Sequence, residues 1–189
     1  DTDQIEILKG PQGTLFGGMG EAGAINLTTR RPTREWEGYA RAEVGQDRQF
    51  LTEAAVGGPL TDKLAGRFAI RSAGSDHWIE NDRTGGPLSK PRDLAFRGSL
   101  LWDLTSRTSA LVSAERHRLR HYGEQLVLMP YSKPASVDMD PGLFQDSRKT
   151  IERYTLQLDH RFDGSRLTAT SAYTLSLIHI SEPTRLRRI

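Results

Sequence analysis

The sequence predicts an all-β fold in which about seven antiparallel strands follow a glycine-rich opening segment. Apolar and polar residues alternate with a period of two along much of residues 36–176, as expected when successive side chains point to opposite faces of a sheet. The same region has no helical stripe of useful length. Short turns and long polar loops also follow one another between the predicted strands.

The predicted strands differ in how regular their alternation is. Three segments alternate cleanly: 64–73, 94–103 and 154–162. Three others fit more loosely: 38–46, 50–57 and 166–175. Segment 108–117 is ambiguous because Leu111 is out of phase with Ala110 and Val112.

The connections carry independent information. Three short turns are predicted, at 57–62, 104–107 and 163–164, and two long polar loops, at 79–93 and 121–148. Short turns at one end of a sheet and long loops at the other are typical of outer-membrane β-barrels. The first hairpin, near Gln46 to Arg48, is short where this pattern would place a longer loop.

Composition excludes a helical membrane protein, because the mean hydropathy is -0.55 and no apolar run approaches the roughly 18 residues that a membrane helix needs. A membrane β-barrel remains open, since only every second residue of its strands faces lipid. A soluble β-barrel, with its apolar face inside, has the same period. Aromatic residues near the strand ends would lie at the membrane interfaces of a barrel or cap a soluble core: Trp36, Tyr39, Trp78, Trp102, Tyr122 and Phe162.

The charge of the chain gives no reason to expect a nucleic-acid partner. The net charge of +2 comes from residues 177–189, without which the chain is balanced. The final run, SLIHISEPTRLRRI, resembles the translation of a sequencing adapter, so residues 176–189 are predicted to be a non-native tail; the alternative is a genuine basic loop. The absence of cysteine excludes disulfides and Cys-based zinc sites.

The opening segment 5–33 combines four short motifs. In order they are Lys9-Gly10-Pro11, Leu15-Phe16-Gly17, Gly23-Ala24-Ile25-Asn26 and Arg30-Arg31-Pro32. Proline cannot donate to a strand ladder, and glycine permits tight turns. Taken together at this spacing, the motifs closely resemble the end of the plug domain in TonB-dependent outer-membrane receptors. Gly18 and Met19 depart from the family, in which many members have a polar or basic residue followed by Asn or Ser.

The resemblance implies a fold, a function and partners. Residues 1–33 would be the C-terminal part of the plug, and residues 34–175 the N-terminal strands of a transmembrane barrel of about 22 strands, so that the chain is a fragment. The function would be TonB-dependent active transport of a scarce ligand, such as a ferric siderophore, across the outer membrane of a Gram-negative cell. The partners would be TonB, outer-membrane lipid, lipopolysaccharide and the small-molecule ligand, with no cofactor.

Two other classes of protein stay open at this point. A passive outer-membrane porin would have barrel strands without a plug, which the opening segment argues against. A soluble β-barrel ligand-binding module would keep its apolar face inside and would need no detergent.

Two groups of residues are candidate functional sites. The first is the plug motif, with the residues Lys9, Gly10, Pro11, Gly17, Gly23 and Asn26. The resemblance implies that Lys9 pairs with acids of the barrel wall; the alternative is a solvated lysine at a strand end. The second group is Arg116, Arg118 and Arg120, where the fifth strand enters a long loop. It is interpreted as an electrostatic funnel for anionic ligands, a contact with lipopolysaccharide phosphates, or a solvated strand end.

No motif indicates an enzyme or a metal site. Gly13 and Gly18 have the glycine spacing of a phosphate-binding loop, but Met19-Gly20 follows them where that loop has Lys-Ser/Thr. On a strand, His117 and His121 would be about 13 Å apart, too far for one ion. The acids Asp138, Asp140 and Asp146 lack the terminal glutamate of a calcium loop.

Overall fold

A computed structural model of the chain describes residues 1–10, 23–76, 79–122, 135–138, 140 and 146–180. Within these ranges the structure is all-β, which confirms the predicted fold class. In chain order the strands are β1 (Thr2–Lys9), β2 (Gly23–Thr29), β3 (Glu37–Val44), β4 (Phe50–Thr61), β5 (Leu64–Gly74), β6 (Glu80–Asn81), β7 (Gly86–Pro87), β8 (Arg92–Asp103), β9 (Thr108–Tyr122), β10 (Ser136–Val137), β11 (Asp146–Arg161) and β12 (Arg166–Ile180). None of the described residues form a helix long and apolar enough to cross a membrane.

Seven of these strands form one antiparallel sheet, in the order β12-β11-β9-β8-β5-β4-β3. The seven strands predicted by the alternation are therefore confirmed. Each long strand pairs with the long strand that precedes it in sequence, so the sheet is a simple meander. This is the topology of an up-and-down barrel wall.

The register gives the sheet two chemically different faces. On one face, Leu100 lies opposite Gly66 on β5 and Val112 on β9. The large exposed residues of this apolar face include Val56, Leu60, Phe68, Leu100, Trp102, Val112, Tyr154, Leu156 and Leu158. On the opposite, polar face, Ser99 lies opposite Arg67 and Ser113. The separation follows from the pleat, which sends neighbouring residues to opposite sides.

Segment 108–117, in which the alternation was ambiguous, is part of the regular strand β9. Val112 of β9 pairs with Leu100 and Leu156 on the apolar face, and Leu111 pairs with Leu101 and Gln157 on the polar face. Leu111 was out of phase because it is an apolar residue on the polar face. The sheet therefore continues through β9 without a bulge.

The apolar band has the height expected of a membrane barrel. On β8 the apolar residues of this face run from Leu94 to Trp102, about 27 Å along the strand. At the usual strand tilt this is roughly 20 Å of height, close to the lipid-facing band of outer-membrane barrels. Among the predicted interface aromatics, Trp36, Trp102 and Phe162 are exposed.

One aromatic residue departs from this pattern. Tyr39 pairs with Ala55 on the polar face, so its prediction as an interface residue was wrong. Trp78 and the side chain of Tyr122 lie outside the described residues.

The turns agree with the predicted connections, with one refinement. The connection at 104–107 and the first hairpin turn, where Asp47 and Arg48 have positive φ, lie where they were predicted. Strand β4 runs on to Thr61, so the turn predicted at 57–62 is shorter and contains only Asp62 and Lys63. Pro59, which cannot donate to the ladder, is tolerated within this strand because a register shift lies next to it.

Strands β1 and β2 form a separate antiparallel pair at the start of the chain. Ile5 lies opposite Leu27, and Ile7 opposite Ile25. All four side chains are exposed, so they form an apolar face that the wall does not cover.

The long predicted loops contain a second small sheet that the sequence did not reveal. Strand β6 pairs with β7 and, in parallel, with β10, which comes from the other long loop. Ile79, Leu88 and Ala135 form its buried core. Two-residue strands have no alternation to detect, and their pairing joins segments more than fifty residues apart.

Strand β12 continues to Ile180, beyond the predicted boundary of the wall at residue 175. Residues 176–180 pair with β11 in regular register. Residues 181–189, the rest of the predicted non-native tail, lie outside the described residues.

Candidate functional site: the plug contact on the polar face

The polar face of the wall is organised around one buried arginine. Arg67, in the first half of β5, has a side chain that is only 2% exposed. Its Nε and Nη2 atoms donate to the two carboxylate oxygens of Asp1, at 2.8 and 2.7 Å. Its Nη1 atom donates to Glu37 at 2.7 Å. Arg67 therefore joins the strand pair β1–β2 to the wall through a bidentate, charge-assisted contact.

The residues around Arg67 explain how it is accommodated. It lies opposite Gly57 on β4 and Ser99 on β8. The side chain of Arg67 already passes 3.2 Å from where a Cβ of Gly57 would lie. Small residues on both neighbouring strands thus leave room for a guanidinium that lies along the wall, and two carboxylates balance its charge.

A second contact between the opening segment and the polar face lies near the other edge of the sheet, on β11. Arg31, just after β2, donates to the side-chain oxygen of Gln157 on β11 at 3.2 Å. Gln157 in turn donates to Asp159 at 2.8 Å. Asp159 is buried and accepts from Arg166 and Thr168 at 2.8 and 2.7 Å. The opening segment is thus held at two places on the polar face, on β5 and on β11.

The link between the strand pair and the wall is also fixed. Arg34 forms an ion pair with Asp103 at the short-turn end of β8. It also donates to the carbonyl oxygen of Asp62 at 3.1 Å. The chain therefore enters β3 from a defined position beside the β4–β5 turn.

Other charges of the polar face are paired with one another. Asp93 accepts from Arg71 at 2.7 Å and lies 2.6 Å from Nε2 of His117. Glu115 pairs with Arg153 at 2.9 Å and with Arg97 at 3.4 Å. The charges of these side chains are therefore balanced by partners on neighbouring strands, from β5 to β11.

A hollow of about 210 Å³ lies between the strand pair and the wall. Its lining includes Asp1 and Thr29 from the opening segment and Glu53, Arg97 and Glu115 from the wall. Charged side chains from the opening segment and from the wall therefore line a partly open hollow at this contact.

The structure describes only part of the predicted plug motif. Gly10 has φ +87° and Gly23 has φ +149°. An added Cβ at Gly23 would lie 2.4 Å from the carbonyl oxygen of Leu8, so a side chain cannot be accepted there without a shift. Asn26 donates to Glu6 across the strand pair at 2.8 Å. Pro11 and Gly17 lie outside the described residues.

The predicted lock at Lys9 remains a prediction. Lys9 ends β1 opposite Gly23, and no ion pair with the wall is found for it within the described residues. The two contacts that join these regions, Arg67 with Asp1 and Arg31 with Gln157, were not predicted. Arg67 lies in a clean alternating segment, but no sequence signal connects it to a residue 66 positions away.

The basic cluster is on the apolar face. Arg116 pairs in register with Phe96 and Arg118 with Leu94, on the same side as Val112. Arg116, Arg118 and Arg120 are all exposed there. This position turns their side chains away from the Arg67–Asp1 contact, and their predicted role remains a prediction. The histidine at 117 instead points to the polar face, beside Asp93.

The acidic and histidine side chains do not gather into a metal site within the part of the chain that the structure describes. No cluster of three or more histidine, aspartate or glutamate side chains there could hold an ion. Asp138 and Asp140 instead pair with Arg83, at 2.7 and 3.6 Å. The hydrogen bond from Arg83 holds the pKa of the Asp138 carboxyl below its usual value.

The fold and this contact define a class of structure: a strand pair from a plug, docked on the polar face of barrel-wall strands. No protein-family model matches the chain. In sequence, the chain is similar to receptors for ferric ligands. The chain is 29% identical over 155 residues to the ferric-pyoverdine 358 receptor of Pseudomonas putida, covering 81% of this chain and 18% of that protein. It is 32% identical over 116 residues to the ferrioxamine B receptor of Salmonella typhimurium, covering 61% of this chain and 16% of that protein.

Solved structures agree in fold. The ferric yersiniabactin uptake receptor of Yersinia pestis superposes with a TM-score of 0.87 at 23% identity, covering 97% of this chain and 30% of that one. The alcaligin outer-membrane receptor of Bordetella pertussis gives a TM-score of 0.74 at 21% identity, covering 95% and 27%. These matches confirm the resemblance to TonB-dependent receptors and agree with the predicted outer-membrane location. The chain spans less than a third of each of these relatives.

Proposed function

We propose that this chain supplies the plug end and the first wall strands of a TonB-dependent transporter that imports a ferric siderophore across the Gram-negative outer membrane. The observation that carries the proposal is the docking of β1–β2 on the polar face through Arg67, while the apolar face stays uncovered. A wall with its plug on the polar side can place its apolar side in lipid. The names of the relatives, which refer to ferric ligands, support the class of cargo.

The chemistry of the plug contact suits a plug that must rearrange. Hydrogen-bonded and ion-paired groups that face a hollow can exchange partners with water, whereas a dry apolar contact would have to expose its surface. TonB supplies the force for this rearrangement. The Arg67–Asp1 pair is the most deeply buried link to the wall, so it is the link that this force has to break. No residue is assigned a catalytic step.

The test is uptake of radioactive iron by cells that express the full-length receptor and make no siderophore of their own. Ferric pyoverdine and ferrioxamine B are the first two ligands to supply. We expect accumulation that stops when TonB is deleted or the proton gradient is collapsed. Uptake that continues without TonB would identify a passive porin, and a receptor recovered in the soluble fraction without detergent would identify a soluble binding module.

A further inference from the structure

The turn between β3 and β4 is built from residues that do not favour its backbone conformation. Asp47 and Arg48, its two central residues, have φ of 54° and 52°. Hairpin turns with two successive positive φ angles favour glycine and asparagine, because a larger side chain crowds the backbone there. Hydrogen bonds from the amide of Gly45 to Gln49, at 2.8 Å, and from the amide of Gln49 to Gln46, at 2.9 Å, close the turn. Contacts from outside the hairpin are therefore expected to stabilise it.

Asp76, two residues after the end of β5, supplies such a contact. Its backbone amide donates to the carbonyl oxygen of Asp47 at 2.7 Å. Its carboxylate lies 3.1 Å from Nη1 of Arg48 and 3.4 Å from Nη2 of Arg92. The side chain of Asp76 is only 9% exposed, so these pairings are screened less than those of a fully exposed carboxylate. Asp76 thus ties the tip of the hairpin to the start of the first long loop.

Arg92, the first residue of β8, ties the other end of the same loop to this place. Its Nη1 atom donates to the carbonyl oxygens of Ser75 and Pro91, at 2.6 and 2.8 Å. Its guanidinium also lies over the ring of Phe50, 5.6 Å from the centroid. A Cβ at Gly74 would lie 2.7 Å from Cδ of Arg92 and 2.8 Å from that ring, so the missing side chain leaves room for the contact. Both ends of the long loop and the start of β4 therefore meet at this arginine.

A hollow of about 590 Å³ lies beside these contacts. The β3–β4 hairpin lines one side of it, with Glu43 and Leu51 among its residues, and the ends of β5 and β8 line the other, with the ion pair of Arg71 and Asp93. These four residues are on the polar face, the face that carries the plug contact. Asp76 reaches from one side of the hollow to the other, and its contacts therefore fix the spacing of the two sides.

We propose that Asp76 is a positioning residue for ligand capture, which holds the β3–β4 hairpin against the long loop and so keeps this hollow in the shape that accepts the ferric ligand. The hollow lies at the end of the sheet that carries the long loops, which is the outer end of a membrane barrel. A ligand that arrives from outside meets this end first. The inference rests on the proposed function and concerns a step before the plug moves, so loosening the hairpin weakens capture and leaves the later steps unchanged.

The first experiment measures uptake by cells that express the full-length receptor and make no siderophore, over a range of concentrations of radioactive ferric pyoverdine or ferrioxamine B. Asp76→Asn keeps the shape of the side chain and removes its charge. The concentration that gives half-maximal uptake should rise about tenfold, while the maximal rate stays the same. The matched control is Asp163→Asn, which removes an aspartate–arginine pair at the other end of the sheet and should change neither quantity.

Hydrogen exchange of the purified full-length receptor in detergent separates a local role from a loss of folding. In Asp76→Asn, the amides of residues 45–49 should exchange about tenfold faster, and those of β11 and β12 should be unchanged. Arg48→Gly removes both the pairing with Asp76 and the crowding at positive φ. Asp76→Asn should therefore have a smaller effect on exchange and on uptake when Arg48→Gly is already present.

Three outcomes would overturn the inference. The first is an unchanged half-maximal concentration in Asp76→Asn, whether or not its hairpin exchanges faster. The second is a rise of the same size in Asp163→Asn, and the third is faster exchange throughout the wall, which would show a general loss of stability. Failure of the proposed function looks different, because the parent receptor itself would then import neither chelate, and the role of Asp76 would fall with it.

Discussion

Two arginines of the wall, Arg67 on the polar face and Arg118 on the apolar face, differ in their surroundings. On the polar face, Arg67 and Arg153 lie within 3 Å of carboxylates from neighbouring elements. On the apolar face, Arg118 has no acidic partner among the described residues, and its neighbours in register are Leu94 and Thr150. The ion pairs of Arg67 and Arg153 therefore join separate elements of the polar face, and Arg118 makes no such link within the part of the chain that the structure describes. The face on which a charged residue lies therefore decides which partners it can reach.

The largest expected effect is at Arg67. Arg67→Ala leaves the buried carboxylate of Asp1 without its partner, and breaking a buried pair in this way costs about 3–5 kcal/mol. Amides of β1 and β2 in the full-length receptor should then exchange hydrogen at least a hundredfold faster.

The matched control for Arg67 is Arg71→Ala, on the same strand and face but 44% exposed in its side chain. It should change exchange in β1 and β2 only slightly. Equal effects of the two substitutions would show that Arg67 does not anchor the plug.

The next effect is at Gly23, the first residue of β2. Gly23→Ala places a Cβ against the carbonyl oxygen of Leu8 and forces a residue with a side chain into a positive φ. We expect a loss of about 2–3 kcal/mol in the stability of the strand pair, again measured by hydrogen exchange.

Gly10→Ala provides a graded comparison. Gly10 also has positive φ, but an added Cβ meets nothing within 4 Å, so its cost should be only about 1 kcal/mol. A Gly23 variant no worse than the Gly10 variant would remove the steric part of the explanation.

The seven strands of the wall and most of their faces could be predicted from the sequence, because period-two alternation depends only on which face of a sheet is polar. Because Leu111 is an apolar residue on the polar face, the alternation did not show which residues of β9 face which side. The face of Arg116 was therefore not predicted. Once Val112 is assigned to the apolar face, Arg116 must follow it, so the signal was present. The partner of Arg67 and the pairing of β6 with β10 could not be predicted, since both join segments far apart in sequence.

A smaller effect is expected where an aromatic ring covers a glycine. A Cβ at Gly58 would lie 2.5 Å from the ring of Trp36. Gly58→Ala should therefore lift Trp36 from the wall and cost about 1–2 kcal/mol in thermal unfolding of the receptor in detergent. Gly86→Ala, where a Cβ meets nothing, should leave the melting temperature unchanged.

The smallest effect concerns the sheet formed by the long loops. The pKa of Asp138 is lowered by its hydrogen bond from Arg83, so the stabilising contribution of the pair is present above the ordinary aspartate pKa, near 4. It is lost as the pH falls through the lower pKa of the folded state. Protease cleavage within residues 79–92 should therefore accelerate in strong acid, and Asp138→Asn should already be accelerated at neutral pH. Identical acid profiles for the parent and Asp138→Asn would contradict this.

The assignment of the two faces is tested most directly by nitroxide labels on neighbouring residues of β9. In the full-length receptor, cleared of other cysteines and embedded in vesicles, Val112→Cys and Ser113→Cys place the label on the apolar and the polar face. We predict that the label at 112 is accessible to oxygen dissolved in lipid and shielded from a water-soluble nickel chelate, and that the label at 113 is not oxygen-accessible. Equal accessibility at the two positions, or the reverse order, would contradict a wall that holds its plug on the polar side and meets lipid on the other.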